Sequence, residues 1–513
     1  MTQAATKSVP AAANPQHFDV FIVGAGISGV GGACHLKSQC PEKSFLILEN
    51  QERFGGTWRT HTYPGIRSDS DLYTFGYRFK PWTGKPIATA DAILEYMEEV
   101  IEDYGLDDHI RYGHTVRSAS WSSEDALWTV VAERKSDGEL CTFTCSFLWM
   151  CQGYYRHAKG YTPEWPGMER FTGPIVHPQT WPEDLDYKGK RVLVIGSGAT
   201  AATLVPAMAD DCAHITMLQR SPTYFAPGEN RNELADMLRE LDVPEEWVHE
   251  IVRRKILADM KEVTRRSFEE PEQLKAELLA AARAYLGPDF DIDKHFTPSY
   301  RPWRQRLAFI PDGDLFKGIA AGKASVVTDE IETFTEKGVL LKSGQEVEAD
   351  IIVTATGFDL CILGDIDFSI DGERLDFART FTWRGIHYSG VPNMAWVFGY
   401  LRTSWTMRAD LIADHVCRLL KHMDAKGVDM VVPMPRPEER NMPARPFIEQ
   451  ENFNPGYLLR SMHLMPKQGS HAPWVFPQDY YVEKDEIPAA DLDDGTLVYA
   501  CRKAQSEQIR SLN

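Results

Sequence analysis

A glycine-rich turn that occurs twice constrains this chain more than any other feature. Residues 18–23 form a short apolar run that ends on Gly24-Ala25-Gly26-Ile27-Ser28-Gly29. A helical stretch follows to about Lys37, then a second apolar run, Phe45–Leu48, closed by Glu49. Residues 191–195 repeat the pattern, leading into Gly196-Ser197-Gly198-Ala199-Thr200-Ala201, a helix to about Ala209 and a strand over 214–218. Each copy reads as a buried parallel strand, a tight turn and a helix N-terminus where backbone N–H groups can approach a pyrophosphate. A lone fingerprint of this kind is weak; the flanking strand and helix give each copy its context. The copies lie too far apart to be two halves of one domain. The expected fold class is therefore α/β, with two dinucleotide-binding (Rossmann-like) domains.

The residue closing the second strand selects the ligand. Glu49 stands 20 residues after Gly29, where a carboxylate accepts hydrogen bonds from ribose hydroxyls and repels a 2′-phosphate. That suits FAD, with Gly24, Gly26, Ile27, Ser28 and Gly29 around its pyrophosphate. The matching place in the second unit reads Gln219-Arg220-Ser221. A guanidinium fork there pairs with a phosphate, so Arg220 and Ser221 favour NADPH over the Gly196–Ala201 loop, through Gly196, Ser197, Gly198, Ala199, Thr200 and Ala201.

Between the loops and after them the chain divides as follows. Residues 1–17, rich in Ala and Pro, read as a disordered leader. Residues 18–153 and 386–513 are assigned to the FAD domain, and 154–228 and 305–385 to the NADP domain. Residues 229–304, highly charged with few strand signals, are a helical insertion in the second domain. Strands over 325–328, 338–342 and 350–354 are expected to rejoin the second domain's sheet. Residues 411–423 form an amphipathic helix, and the Pro-rich tail after Met430 wraps the surface. The formal net charge of −19 argues against nucleic acid and anionic membranes as partners. No apolar run is long enough for a membrane span. The nine cysteines show no metal-ligand spacing, so no metal is expected and a reducing, cytoplasmic location fits. A monomer or small homo-oligomer is expected.

One segment goes further. Phe171-Thr172-Gly173-Pro174-Ile175-Val176-His177-Pro178-Gln179-Thr180-Trp181-Pro182 resembles the Phe-x-Gly-x-x-x-His-x-x-x-Trp-Pro fingerprint of type I Baeyer–Villiger monooxygenases, class B flavoproteins. The resemblance extends over nearly the whole chain through Gly55-Gly56-Thr57-Trp58, Tyr63-Pro64-Gly65 and Ala355-Thr356-Gly357-Phe358. Gly65-Ile66-Arg67-Ser68-Asp69-Ser70-Asp71-Leu72-Tyr73 is similar to the branch of bacterial ethionamide-activating enzymes. The resemblance implies an FAD- and NADPH-dependent enzyme that inserts one oxygen of O₂ next to a ketone carbonyl, through a C4a-peroxyflavin, to give an ester or lactone. It implies FAD contacts from Gly56, Thr57, Trp58, Arg67, Ser68, Asp69, Tyr73 and Val116. It also implies a conformational role for His177. Asp69 matches an aspartate that orients an active-site arginine. That arginine lies in Arg301-Pro302-Trp303-Arg304-Gln305-Arg306. Arg306 is aligned with it, with Arg301 and Arg304 as competitors, and Gln305 then falls where many relatives have a lysine near the NADP phosphate.

Two other classes share the paired loops. A flavin-containing N- or S-monooxygenase needs no active-site arginine. A pyridine-nucleotide disulfide reductase needs a redox cysteine pair, and Cys34 and Cys40, six apart, do not supply its spacing.

Overall fold

The computed structural model describes residues 15–502. The leader assigned to 1–17 lies mostly outside them, but Gln16 and His17 already belong to the first strand, Gln16–Val23. That strand runs parallel between Phe45–Leu48 and Leu140–Met150. Its central residues Val20, Phe21 and Ile22 have no exposed surface, as expected of a parallel strand covered on both faces. Met394–Trp396 pairs with Leu140–Met150 as well, so the C-terminal third of the chain returns to this sheet. An antiparallel ladder, His114–Ser122 against Leu127–Arg134 against Leu140–Met150, extends it.

The second unit is a parallel sheet with Arg191–Ile195 between His214–Gln219 and Ile351–Thr354. Ala324–Thr328 and Ile175–Val176 complete it. Two expectations are corrected here. Gly338–Leu341 does not join this sheet. It forms a separate antiparallel sheet with Ile331–Phe334 and Glu346–Glu348, whose Phe334, Val339 and Leu341 pack on Leu193, Ile195 and Ile352. A parallel sheet needs both faces covered, and this small meander covers one of them in place of helices. The return to the first unit also comes earlier than residue 386. Asp367–Ile370 pairs in parallel with His114–Ser122, so 367–374 extends the first sheet. The outward and return crossings, Tyr155–Gly160 and Phe358–Leu360, lie side by side as an antiparallel pair.

The helical insertion contains Glu233–Glu240, Glu245–Glu269, Pro271–Leu286 and Ile292–His295. It grips both units rather than decorating the second. Buried Arg253 donates Nη1 to the carbonyls of Tyr73, Thr74 and Gly76 at 3.0, 3.3 and 3.1 Å, which satisfies carbonyls left open at the end of the short helix Leu72–Phe75. Ala282, by contrast, packs in the core of the second unit.

The helix expected over 411–423 is longer, Trp405–Lys426, and is buried on several faces rather than along one stripe. Its Arg408 is ion-paired to Glu483 at 2.9 Å, with both side chains almost wholly buried. The tail after Met430 does more than wrap the surface. Met430–Pro433 pairs with Leu497–Ala500, Trp474 and Phe476 are core residues, and Gly456–Ser461 forms a helix of its own. Among the described residues no helix is long and apolar enough to cross a membrane.

Candidate active site

Both fingerprint loops end on helices whose first N–H groups no side chain caps: Ile27–Gln39 after Gly26, and Ala199–Met208 after Gly198. Such helix ends favour an anion. In the first unit Gly26 faces Gly56, whose φ of +53° suits glycine. A Cβ on Gly56 would lie 3.1 Å from Gly26 Cα, so the absence of side chains lets these two backbones approach closely. Glu49 is buried at their edge. Its oxygens accept from Ala25 N at 2.7 Å and Gln51 N at 2.8 Å, and burial, set against these bonds, pushes its carboxyl above the usual carboxylate range. The bonds fix its orientation and leave lone pairs for ribose hydroxyls. In the second unit a Cβ on Gly198 would meet nothing within 4 Å. Arg220 is exposed on the rim of the same space and makes no ion pair among the described residues. The loops therefore fit two dinucleotides.

A cavity of about 820 Å³ runs from the second loop to Asp69 and Arg306. Arg306 meets Asp69 fork to fork: Nε donates to Oδ2 and Nη2 to Oδ1, both at 2.8 Å. Nη2 also donates to Ser70 Oγ at 3.0 Å, and Nη1 to the Leu401 carbonyl at 3.0 Å. Four of its five donor hydrogens are thus used, and one on Nη1 remains. Burial works against this cation, but the Asp69 charge and bonds outweigh it and hold the guanidinium above its ordinary value. Arg301 stacks on Phe268 at 3.8 Å instead, and Arg304 has no carboxylate partner among the described residues. Gln305 lines the cavity beside Arg306.

The remaining expected contacts divide. Ser28 Oγ accepts from Trp405 Nε1 at 2.8 Å, and Trp405 lines the cavity. Ile27, through its carbonyl, holds Tyr77 Oη at 2.6 Å. Trp58 packs edge-on against Phe75 at 5.6 Å, another cavity residue, and Thr57 begins the short helix that carries it. Val116 lies at a bulge of the strand that starts beside Glu49. Ser197 bonds Thr223 at 3.0 Å, while Ala199 and Thr200 line the cavity and Ala201 is buried beneath it. Ser221 also lines it. Arg67, Ser68 and Tyr73 are not brought to it. Arg67 pairs with Asp314 at 2.5 Å, the Ser68 hydroxyl serves its own turn, and the Tyr73 hydroxyl accepts from Arg239 at 3.1 Å. His177 touches both crossings: its ring lies where a Cβ on Gly160 would stand, and Nε2 donates to the Gly357 carbonyl at 3.1 Å.

The model of flavin-binding monooxygenase-like proteins matches residues 86–228, and that of NAD(P)-binding Rossmann-like domains residues 22–81. The FAD-containing monooxygenase EthA of Mycobacterium tuberculosis is 48% identical over 491 residues, covering 95% of this chain and 99% of that protein. The chain belongs to the flavin-binding monooxygenase-like family. A probable FAD-binding monooxygenase, AlmA, of Acinetobacter baylyi is 43% identical over 484 residues, covering 94% of this chain and 96% of that protein. Among solved structures, a steroid monooxygenase bound to NADP has a TM-score of 0.74 at 22% identity, covering 95% of this chain and 100% of that one. A cyclohexanone monooxygenase bound to ε-caprolactone has a TM-score of 0.66 at 21% identity, covering 82% of this chain and 90% of that one. These two show the fold of this family member: two dinucleotide-binding domains of α/β type.

Sequence reasoning missed a tyrosine cluster beside Arg306. Tyr154 and Tyr155 share a hydroxyl contact of 2.7 Å, and Tyr457 arrives from the tail. Burial pushes the Tyr457 phenol up to about 12, so it stays neutral. The adjacent tyrosines at 154 and 155 were visible, but nothing local placed Tyr457 opposite them.

Proposed function

We propose that this protein is an FAD- and NADPH-dependent Baeyer–Villiger monooxygenase, inserting one oxygen atom of O₂ next to a ketone carbonyl to give an ester or lactone. The observation that supports this most is the Arg306–Asp69 fork in the cavity that opens onto the second phosphate loop. FAD, when bound and reduced by NADPH, supplies the activated oxygen. The Gly24–Gly29 loop, Gly56 and Glu49 hold its pyrophosphate and ribose; the Gly196–Ala201 loop, Arg220 and Ser221 hold NADPH. Arg306 acts on the substrate. Addition of an oxygen nucleophile to a carbonyl leaves an oxyanion, and the spare Nη1 hydrogen of Arg306 donates to it. A preoriented donor of this kind contributes about 3–4 kcal/mol at the transition state. Asp69 is a positioning residue: its two oxygens hold the guanidinium plane and keep it charged. The neutral tyrosine hydroxyls add dipoles without competing for the negative charge.

The test is product analysis. Holoenzyme and NADPH are incubated with a mixed panel of ketones and sulfides, and products are weighed by mass spectrometry. Esters or lactones one oxygen heavier than their ketones are expected. Sulfoxides alone would instead identify an S-monooxygenase. Arg220 gives an independent prediction. Arg220→Ala should raise KM for NADPH roughly tenfold, the worth of one exposed charge-assisted contact, and leave KM for NADH unchanged. Equal effects on both nucleotides would remove its phosphate role.

A further inference from the structure

Leu401 lines two cavities. One holds Arg306; the other is a side pocket of about 300 Å³. The side pocket is walled by Phe447, Ile448, Phe453 and Phe476, all buried. Its polar groups are satisfied with one exception. The Gln468 amide bonds the Phe447 carbonyl at 2.9 Å and Phe476 N at 2.6 Å. Gln478 holds Leu401 N and the Gly399 carbonyl at 2.9 and 3.0 Å. Arg445 pairs with Glu449 at 3.1 Å.

Arg402 is the exception. Among the described residues its guanidinium donates to no acceptor and forms no ion pair, and Nη1 is buried without a partner. Its one close neighbour of note is the Phe268 ring, 5.5 Å away, which Arg301 also covers. Arg301 lacks a carboxylate too, and donates only to the carbonyls of Pro302 and Asn452. Among the described residues no carboxylate comes within ion-pair distance of either arginine; the charge of Asp479 reaches Arg402 only from farther off and does not offset its burial. A largely enclosed cation without a counter-ion is costly, and burial depresses Arg402 as that cost requires.

We propose that the side pocket binds an aliphatic carboxylate, with Arg402 as the partner of the anion and the four apolar side chains around the hydrocarbon. A guanidinium fork matches a carboxylate in geometry, and the apolar walls select a chain over a small inorganic anion. Glu449 is already paired with Arg445 at 3.1 Å, so this pair adds little net charge against the anion. The carboxylate has two sources. It is either the far end of an oxo acid whose carbonyl reaches Arg306 past Leu401, or a separate fatty acid.

Calorimetric titration of FAD-loaded enzyme with decanoate and decan-1-ol tests this without reference to turnover, so it stands or falls apart from the proposed reaction. Decanoate is expected to bind about tenfold or more tighter than decan-1-ol, the scale of a charge-assisted contact. Arg402→Gln should lose that margin and leave decan-1-ol unaffected, with FAD content as the check on folding. Equal binding of decanoate and decan-1-ol by the wild type, which needs no variant, would overturn the proposal. So would unchanged decanoate binding in flavin-loaded Arg402→Gln. A neutral ketone added to the cell separates the sources: decanoate displaced by it is the tail of a substrate, and decanoate retained beside it is a separate ligand.

Discussion

Arg306→Ala is expected to keep FAD bound and to oxidise NADPH while its yield of ester falls roughly 10²–10³-fold, the range for loss of one oxyanion donor. The electrons should appear as hydrogen peroxide. The physical reason lies in where the guanidinium sits. It touches neither phosphate loop's backbone, so cofactor binding does not depend on it. It lines the cavity and has one donor left unused, and a methyl group there stabilises no developing charge. Asp69 loses its partner in this variant but keeps about a third of its side chain exposed, so water can solvate it and the fold should survive. Arg306→Lys should recover little, because an ammonium cannot reproduce the two-point contact with Asp69. Peroxide and NADPH consumption are measured together with product. Ester formation at the wild-type level in Arg306→Ala would remove this residue from the chemistry.

The second large effect concerns stability. His35, on the helix Ile27–Gln39, places Nε2 3.0 Å from Asp410 and Nδ1 3.2 Å from Asp414, both on the helix Trp405–Lys426. Arg78 also pairs with Asp414, at 2.9 Å. Burial alone would discharge the imidazole, but the two carboxylates outweigh it and raise it from 6.5 to about 9. The folded state thus binds this proton more tightly than the unfolded state does. Its contribution is fully present below pH 6.5 and is lost as pH rises through about 9. The size is on the order of 3 kcal/mol at the low-pH end. His35→Gln should therefore have a lower Tm than the wild type near pH 6, with the gap closing by about pH 10. Parallel Tm curves for the two proteins across that range would show that this proton is not linked to folding.

Much of the fold was legible because the signals were local. Both loops carry their strand, turn and helix within about thirty residues, and each formed where the pattern put it. The strand-end positions of Glu49 and Arg220, directly after Phe45–Leu48 and His214–Gln219, were legible for the same reason. Gly338–Leu341 was misplaced because a short apolar run states that the strand is buried and says nothing about which sheet it joins. The early return at Asp367–Ile370 is a pairing between residues some 250 positions apart, with no local marker. Arg306 could be separated from Arg301 and Arg304 only in three dimensions. Trp303 adopts a positive φ of 63°, uncommon for a large side chain, and the chain direction changes within the very segment whose register was ambiguous. Arg67 and Tyr73 sat in a motif that resembles a cofactor-binding stretch. In the fold the polar groups of these two side chains meet Asp314, 247 positions from Arg67, and Arg239, 166 positions from Tyr73, contacts with no local marker.

In the proposed reaction a cavity built around Arg306 and Asp69 directs activated oxygen to a ketone carbonyl. Turnover under ¹⁸O₂ with NADPH and a ketone tests it most directly, with the product read by mass spectrometry and fragmentation. The expected product is an ester or lactone that carries one ¹⁸O in the position between the carbonyl carbon and the migrated carbon. A ketone recovered unlabelled and unchanged while NADPH is consumed and a sulfide in the same vessel gains ¹⁸O would contradict it.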